Sequence, residues 1–409
     1  MKMPTNKRQH YVPKHMLKRF AADAEGKRVN LLHISTQKTV RGASLREQCY
    51  KDYFYGTNLE IERNLSLIEG SQSLLVEEII ASATINPFRT ADIALLFALQ
   101  RARTLRSENE TSGVMNALMK LAMYGRIDAD VLRNVKISLT HGPNLNVTTA
   151  LRMSPILYDL KQILLVNRSK TPFVISDSPV VTTNWFCRTR YPDKGPTGFS
   201  LSGLQMFMPL TPTLALVLLD SGVYSTEAVH CKMVLHKSSD IEHLNTLQWL
   251  NALNTVYFPS TTSDVELDRL KAVPREGDLY HIERLEQVEQ TKAYRKSGKG
   301  EYDPPSDGVT SEIVRFAAPP LPLDVRFSGL RIRKKPSFYD DGTMASPIRD
   351  PFWVEIIRDF DRAVEAKAVA FGQLADFIET HPLEPAIGKW RKNAALRARR
   401  ARPGPLGGT

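Results

Sequence analysis

Residues 163–183 read ILLVNRSKTPFVISDSPVVTT, and their reading decides the fold class. Three short apolar runs, Ile163–Val166, Phe173–Ser176 and Pro179–Thr183, are divided by the breakers Asn167 and Asp177. Met206–Pro209 and Leu214–Leu219 continue the series with Pro212 between them. Short apolar segments bounded by turn residues predict strands, here of a mixed or antiparallel sheet. Upstream the period changes. Ile61, Leu65, Ile68, Leu75 and Ile79 recur at spacings of 4, 3, 7 and 4, which predicts a helix over Leu59–Ser82. Thr90–Arg106 reads as a second helix, apolar almost all round through Ile93–Leu99 and therefore buried. More helix is expected over 111–134. Val29–Ile34 and Thr39–Val40 read as two strands around the polar turn Ser35–Gln37, and Ile241–Tyr257 returns to helix. Strands on both flanks of a helical middle argue for α+β and against a repeating βαβ series. The expected architecture is a helical middle packed on a mixed or antiparallel sheet, with a loosely attached C-terminal extension.

The chain has 409 residues, of which 42% are hydrophobic and 24% charged, an ordinary balance that excludes wholesale disorder. A core domain is expected over 1–290. Lys296–Gly300, Asp303–Gly308 and the Pro-rich Ala317–Pro322 mark 291–325 as a linker. A helical extension over 326–382 holds a helical pair in Phe352–Ile378, and a basic tail follows over 383–409. No apolar run is long enough to cross a bilayer, and the N-terminus meets His10 where a secretory signal would need an apolar core. Cys49, Cys187 and Cys231 are too far apart for a disulfide framework or zinc knuckle, so a reducing, cytoplasmic setting is expected.

The net charge of +11 is unevenly spread. Residues 1–50 carry eleven Lys/Arg against three acidic side chains, a net +8. Residues 383–409 carry seven against one, a net +6, which leaves the middle at −3. Excess charge at the two ends is an arrangement suited to nucleic acid or another polyanion, and equally to solubility.

No P-loop, Rossmann fingerprint, His-Glu-x-x-His or nucleophile elbow is present. What remains is a set of polar residues beside apolar elements. In Gln9-His10-Tyr11-Val12-Pro13, Pro13 suits the first position of a short helix carrying Met16, Leu17 and Phe20. An imidazole fixed just before that helix is favoured in its neutral form, as suits a metal ligand or general base, or it simply caps the helix. Asp177, leaving an apolar strand in Ser176-Asp177-Ser178-Pro179, is either a rigidly held acid or the acceptor of an Asx-turn. Glu62 and Glu69 flank one side of their helix, and Gln100, Arg101 and Arg103 end the next. A Glu–Arg tie between the helices and a phosphate-binding arginine set both fit. Asn245, Gln248 and Asn251 share one helical face, able to read a base or peptide or to bond a neighbouring element.

Together these segments resemble an uncharacterised bacterial domain family. Its members open with Gln-His-Tyr-Val-Pro and a short helix ending in Arg-Phe, here QHYVPKHMLKRF over Gln9–Phe20. The likeness continues through Ile68-Glu69, Gln100–Thr104, FVISDSPVV over Phe173–Val181, Met208–Pro212 and the Asn245 helix, covering about residues 5–260. It implies a single-domain bacterial protein and brings no settled activity. His10, Glu69, Arg101 or Arg103, and Asp177 match its polar motif positions, which raises the expectation that they share a pocket.

Two functions follow as expectations. One is a metal-dependent, nuclease-like phosphodiesterase, serving in phage defence or as a toxin-like effector. His10, Glu69 and Asp177 would hold Mg²⁺ or Mn²⁺, and Arg101 or Arg103 would stabilise charge on phosphate. Gln9, Tyr11, Gln100, Ser176, Asn245 and the tail residues Arg397, Arg399 and Arg400 would bind substrate. The other is a non-enzymatic module binding nucleic acid or protein, in which the same polar residues form a structural network.

Overall fold

The computed structural model describes residues 7–57, 60–123, 126–136, 139, 141–192, 198–275, 285–288, 295–296, 302–303, 313–316, 321–340 and 346–387. The chain divides into two compact units. The first comprises the described residues of 1–108, 143–275 and 320–409, and the second those of 109–142 and 276–319.

The first unit opens with β1 (Arg8–His10), α1 (Lys14–Lys18), β2 (Arg28–His33), β3 (Thr39–Ser44), β4 (Tyr50–Asp52), α2 (Glu60–Ser82) and α3 (Thr90–Ala102). Most of α4 (Leu105–Met123) and all of α5 (Ala129–Asn134) fall in the second unit; after α6 (Gly142–Met153) the first unit continues with β5 (Lys161–Asn167), β6 (Ile175–Ser176), β7 (Val181–Thr183) and α7 (Trp185–Arg190). Next are β8 (Gln205–Thr211), β9 (Leu214–Leu219), β10 (Tyr224–Thr226), β11 (Lys232–Leu235), α8 (Ser238–Asn251), β12 (Thr255–Phe258) and α9 (Asp264–Lys271). In the second unit β13 (Leu285–Val288) pairs with β16 (Ile313–Phe316), and β14 (Arg295–Lys296) with β15 (Tyr302–Asp303), both antiparallel. The first unit resumes with β17 (Leu330–Ile332), α10 (Pro351–Glu365) and α11 (Leu374–Thr380). No helix among the described residues is long and apolar enough to cross a membrane.

The architecture is α+β. A five-stranded sheet runs in the order β11-β5-β9-β8-β7 and is mixed, because β11 pairs parallel with β5 while the other pairs are antiparallel. Every residue of β9, and all but one end residue of β5 and of β8, is buried. This explains the unbroken apolar sequence of β9 and of the middles of β5 and β8: a strand covered on both faces needs no polar alternation. A four-stranded antiparallel sheet runs β3-β2-β12-β6. The helical middle joins the five-stranded sheet through α3, where Gln162 of β5 donates from Nε2 to the Thr90 carbonyl at 2.7 Å. The motif FVISDSPVV supplies β6 to the four-stranded sheet and β7 to the five-stranded one, so its Ser-Asp-Ser-Pro turn carries the chain between sheets.

Three local expectations are corrected. The helix expected over Thr90–Arg106 breaks at Arg103, because Thr104 Oγ1 accepts from Ser107 N at 3.2 Å and starts α4 as its N-cap. The helix expected over Ile241–Tyr257 stops at Asn251, and Thr255–Phe258 pairs on both sides as a central strand. Its β-branched and aromatic residues prefer a pleated surface. Pro13 sits at the N-cap of α1, one position before the N1 site expected of it.

In the C-terminal extension, Asp350 caps α10 by accepting from Phe352 N and Trp353 N. Ile357 and Phe360 of α10 pack with Ile156 and Leu374, and Arg152 pairs with both carboxylate oxygens of Asp361 at 2.5 and 2.7 Å. The tail residues Arg397, Arg399 and Arg400 lie outside the described residues.

Candidate functional site

Site construction begins with β1. Its pairing with β4 sets His10 opposite Tyr50, and Tyr11 N continues the ladder to the Cys49 carbonyl at 2.9 Å. Pro13 then turns the chain into α1, which buries Met16 and Leu17 on one side and presents Lys14 and Lys18, both exposed, on another. Gln9 is fully buried and locks the loop before α2, accepting from Tyr55 N at 2.6 Å and donating to the Gly56 carbonyl at 3.2 Å. Arg103, at the break after α3, completes the frame. It is only 2% exposed, yet it reaches three elements. Nη2 bonds the His10 carbonyl at 2.7 Å and Glu69 Oε1 of α2 at 2.6 Å, and Nε donates to the Tyr55 hydroxyl at 3.3 Å.

These contacts frame a cavity of about 370 Å³, within the usual range for a small-ligand pocket. It is lined by His10, Lys14, His15, Lys18, Tyr55, Glu62, Leu65, Ser66, Glu69 and Arg103. Three buried nitrogens of its lining have no hydrogen-bond partner: His10 Nε2, His15 Nε2 and Arg103 Nη1. Unpaired buried polar atoms cost free energy, so three around one cavity suit groups kept ready for a ligand.

The electrostatics set their protonation. Burial is the main cause that pushes His10 down to about 4, helped by Lys14, Arg103 and Arg8 and opposed by a hydrogen bond to the Arg46 carbonyl. Burial also pushes His15 down to about 4, with Arg19 and Arg103 adding to it. At neutral pH both rings are therefore uncharged. On the neutral ring of His10 one nitrogen carries the proton and the other is an acceptor, and Nε2 has no partner within the fold. The cavity thus combines uncharged imidazole nitrogens with the side chains of Lys14, Lys18 and Arg103 and with two carboxylates.

Of the expected catalytic set, His10, Glu69 and Arg103 come together here. Arg101 is half-buried and is not among the lining residues. Asp177 does not join them either. Its carboxylate is buried and turned toward the start of β12, where Oδ1 accepts from Leu253 N at 2.8 Å and Oδ2 from Asn254 N at 2.7 Å. It therefore clamps a distant loop, where the sequence suggested a local Asx-turn or a catalytic acid. Burial raises it to about 6, partly offset by bonds from Leu253, Asn254 and Thr255. The three-residue set expected for Mg²⁺ or Mn²⁺ does not fit one ion. Asp177 is committed elsewhere, and Glu69 Oε1 is committed to Arg103.

The expected substrate-binding residues that lie among the described ones are used inside the fold. Gln9 is described above, and Gln100 Nε2 donates to the Tyr11 carbonyl at 3.3 Å. Tyr11 itself is 6% exposed. Ser176 Oγ donates to the Ser178 carbonyl and to Gln248 Oε1, both at 2.8 Å. Asn245 accepts from Val174 N and donates to the Pro172 carbonyl. The amide face of α8 is a clasp on residues 172–180. Sequence reasoning missed Lys14, His15, Lys18, Tyr55 and Ser66, although the Lys14/Lys18 spacing and the second histidine five residues after His10 were there to be read.

No curated protein and no solved structure matches the chain. A family model does, over residues 8–262, a span that holds every residue lining the cavity. The chain therefore belongs to the family described as "Protein of unknown function (DUF4238)".

Proposed function

We propose that this cavity is a general-base site acting on the phosphodiester of a nucleic acid. The observation that carries the reading is the unpaired Nε2 of neutral His10 beside the unpaired Nη1 of Arg103, with Lys14 and Lys18 on the same lining. A base must hold a free lone pair within reach of its proton, and developing phosphoryl charge needs fixed cations. Arg103 meets the second need, being held rigid by Glu69 and the His10 carbonyl. Work in phage defence or as a toxin-like effector belongs to the same reading, and the three free cysteines suit a bacterial cytoplasm.

A second reading has its own support. The Arg103–Glu69–Tyr55 network also ties α2, α3 and the loop before α2 together, as a non-enzymatic nucleic-acid or protein binding module would need. The purified full chain, incubated with labelled RNA and DNA with and without Mg²⁺ or Mn²⁺, separates the two. Strand scission supports the enzyme. Retention of either polymer without scission supports the binding module.

A further inference from the structure

A further cavity of the first unit, about 320 Å³ and lined by α8 and α9, holds the unpaired Thr262 hydroxyl, but its charged groups are engaged: Glu242 pairs with Arg269, and Glu266 accepts from Ser263. The cavity beside α1 carries more. Resting on the phosphodiester reading above, we infer that its substrate is RNA, cut by attack of the RNA's own 2′-hydroxyl on the adjacent phosphorus.

The lining supplies each part of that reaction. His10 Nε2 has no partner within the fold, so it is open to a donor such as the 2′-hydroxyl. A 2′-hydroxyl sits beside the phosphate it attacks, and proximity of this kind replaces a separately bound nucleophile. The carboxylates Glu62 and Glu69 line the same cavity as the cations. Their charge would repel a second phosphate, so the pocket suits a single phosphate beside the cations. At a given site the 2′-hydroxyl lets a protein tell RNA from DNA.

The step balances within the chain and its substrate. His10 Nε2 takes the 2′-hydroxyl proton as the 2′-oxygen bonds to phosphorus. The bond from phosphorus to the 5′-oxygen breaks, and that oxygen takes a proton from the Lys14 ammonium, which lines the same cavity as His10. Arg103 Nη1 and Lys18 face the phosphoryl oxygens. The products are a 2′,3′-cyclic phosphate and a 5′-hydroxyl end. His10 then returns its proton to solvent and Lys14 regains one, so no water, metal ion or oxidant is consumed.

The test uses the full chain, a labelled RNA oligonucleotide, DNA of the same sequence, and that RNA with single 2′-deoxy substitutions, all in EDTA. The expected result is cleavage of RNA alone, with a 2′,3′-cyclic phosphate end and no cut at a deoxy-substituted position. His10→Ala should slow it by about 100-fold or more. Because alanine also removes the bond to the Arg46 carbonyl, His10→Gln is measured beside it, with thermal melts of both. A folded His10→Gln variant at full rate would overturn the assignment. Cleavage of DNA, a requirement for added Mg²⁺ or Mn²⁺, or 5′-phosphate ends would overturn the 2′-hydroxyl route while leaving the nucleic-acid reading in place. No cleavage of either polymer under any of these conditions would remove both.

Discussion

One buried and two half-buried titratable side chains tie the stability of this protein to pH in opposite directions. His10 and His15 ionise at about 4 in the fold, against 6.5 for an ordinary histidine. The unfolded chain therefore takes up these protons first as pH falls. Their contribution is intact above pH 6.5 and is lost as pH drops toward 4. Asp177 is raised to about 6 from 3.8, so its contribution is present below 3.8 and is lost as pH rises through 6. Between pH 6.5 and 4.5 two groups oppose one, and acid destabilises. Replacing both histidines by asparagine should make the fall in melting temperature between those two pH values smaller than in the native chain. Parallel falls would mean that both rings titrate as though exposed. At this scale sequence located His10, Glu69 and Arg103, because polar groups at the edges of apolar elements need partners. It misplaced Asp177, since spacing along a strand does not reveal which way the end residue turns. Lys14, His15 and Lys18 lie on a five-residue helix, too short for periodicity to separate a lining face from an ordinary solvated one.

Elements show the same mixture. The α2 period was legible and is observed as Glu60–Ser82. Leu214–Leu219 is observed with the bounds its apolar run suggested. The end of α8 was not legible, because what stops it is a distant carboxylate. Asp177 captures Leu253 N and Asn254 N, and the chain re-emerges as β12. Along α8, Gln248 is fully buried; its Oε1 accepts from Ser176 N at 3.0 Å and its Nε2 donates to the Pro179 carbonyl at 2.9 Å. Gln248→Leu keeps the volume and strands both backbone groups. The expected loss is roughly 2–5 kcal/mol by denaturant titration, the cost of about two unsatisfied buried groups. A loss below about 1 kcal/mol would show that the crossing between sheets holds without this clasp.

For the whole molecule, charge is the property that reaches furthest. Lys389–Arg402 carries seven basic residues and no acidic one. If all seven met phosphates on duplex DNA, log K would fall against log salt with a slope of about −6. Deleting residues 388–409 should flatten the slope actually measured and weaken binding alike for every sequence, read by titration at several salt concentrations. Unchanged affinity at low salt would leave solubility as the tail's role. Cleavage, if it resides in the cavity beside α1, should survive the deletion, since every lining residue lies between His10 and Arg103.

The place of β12 in its sheet also sets a timetable. Thr255–Phe258 lies between β2 and β6, pairing Phe258 with Asn30 and Val256 with Ser176. During synthesis the N-terminal segment that carries His10 leaves the ribosome early, but the strand that joins β2 to β6 arrives more than 220 residues after β2. Pairing across so long a stretch of chain is slow to form, and the edges of β2 and β6 stay open to chaperones or to other nascent chains until it does. A chain that ended before Thr255 would leave β2 and β6 without the strand that joins them, and faster proteolysis than that of the full chain is its expected fate.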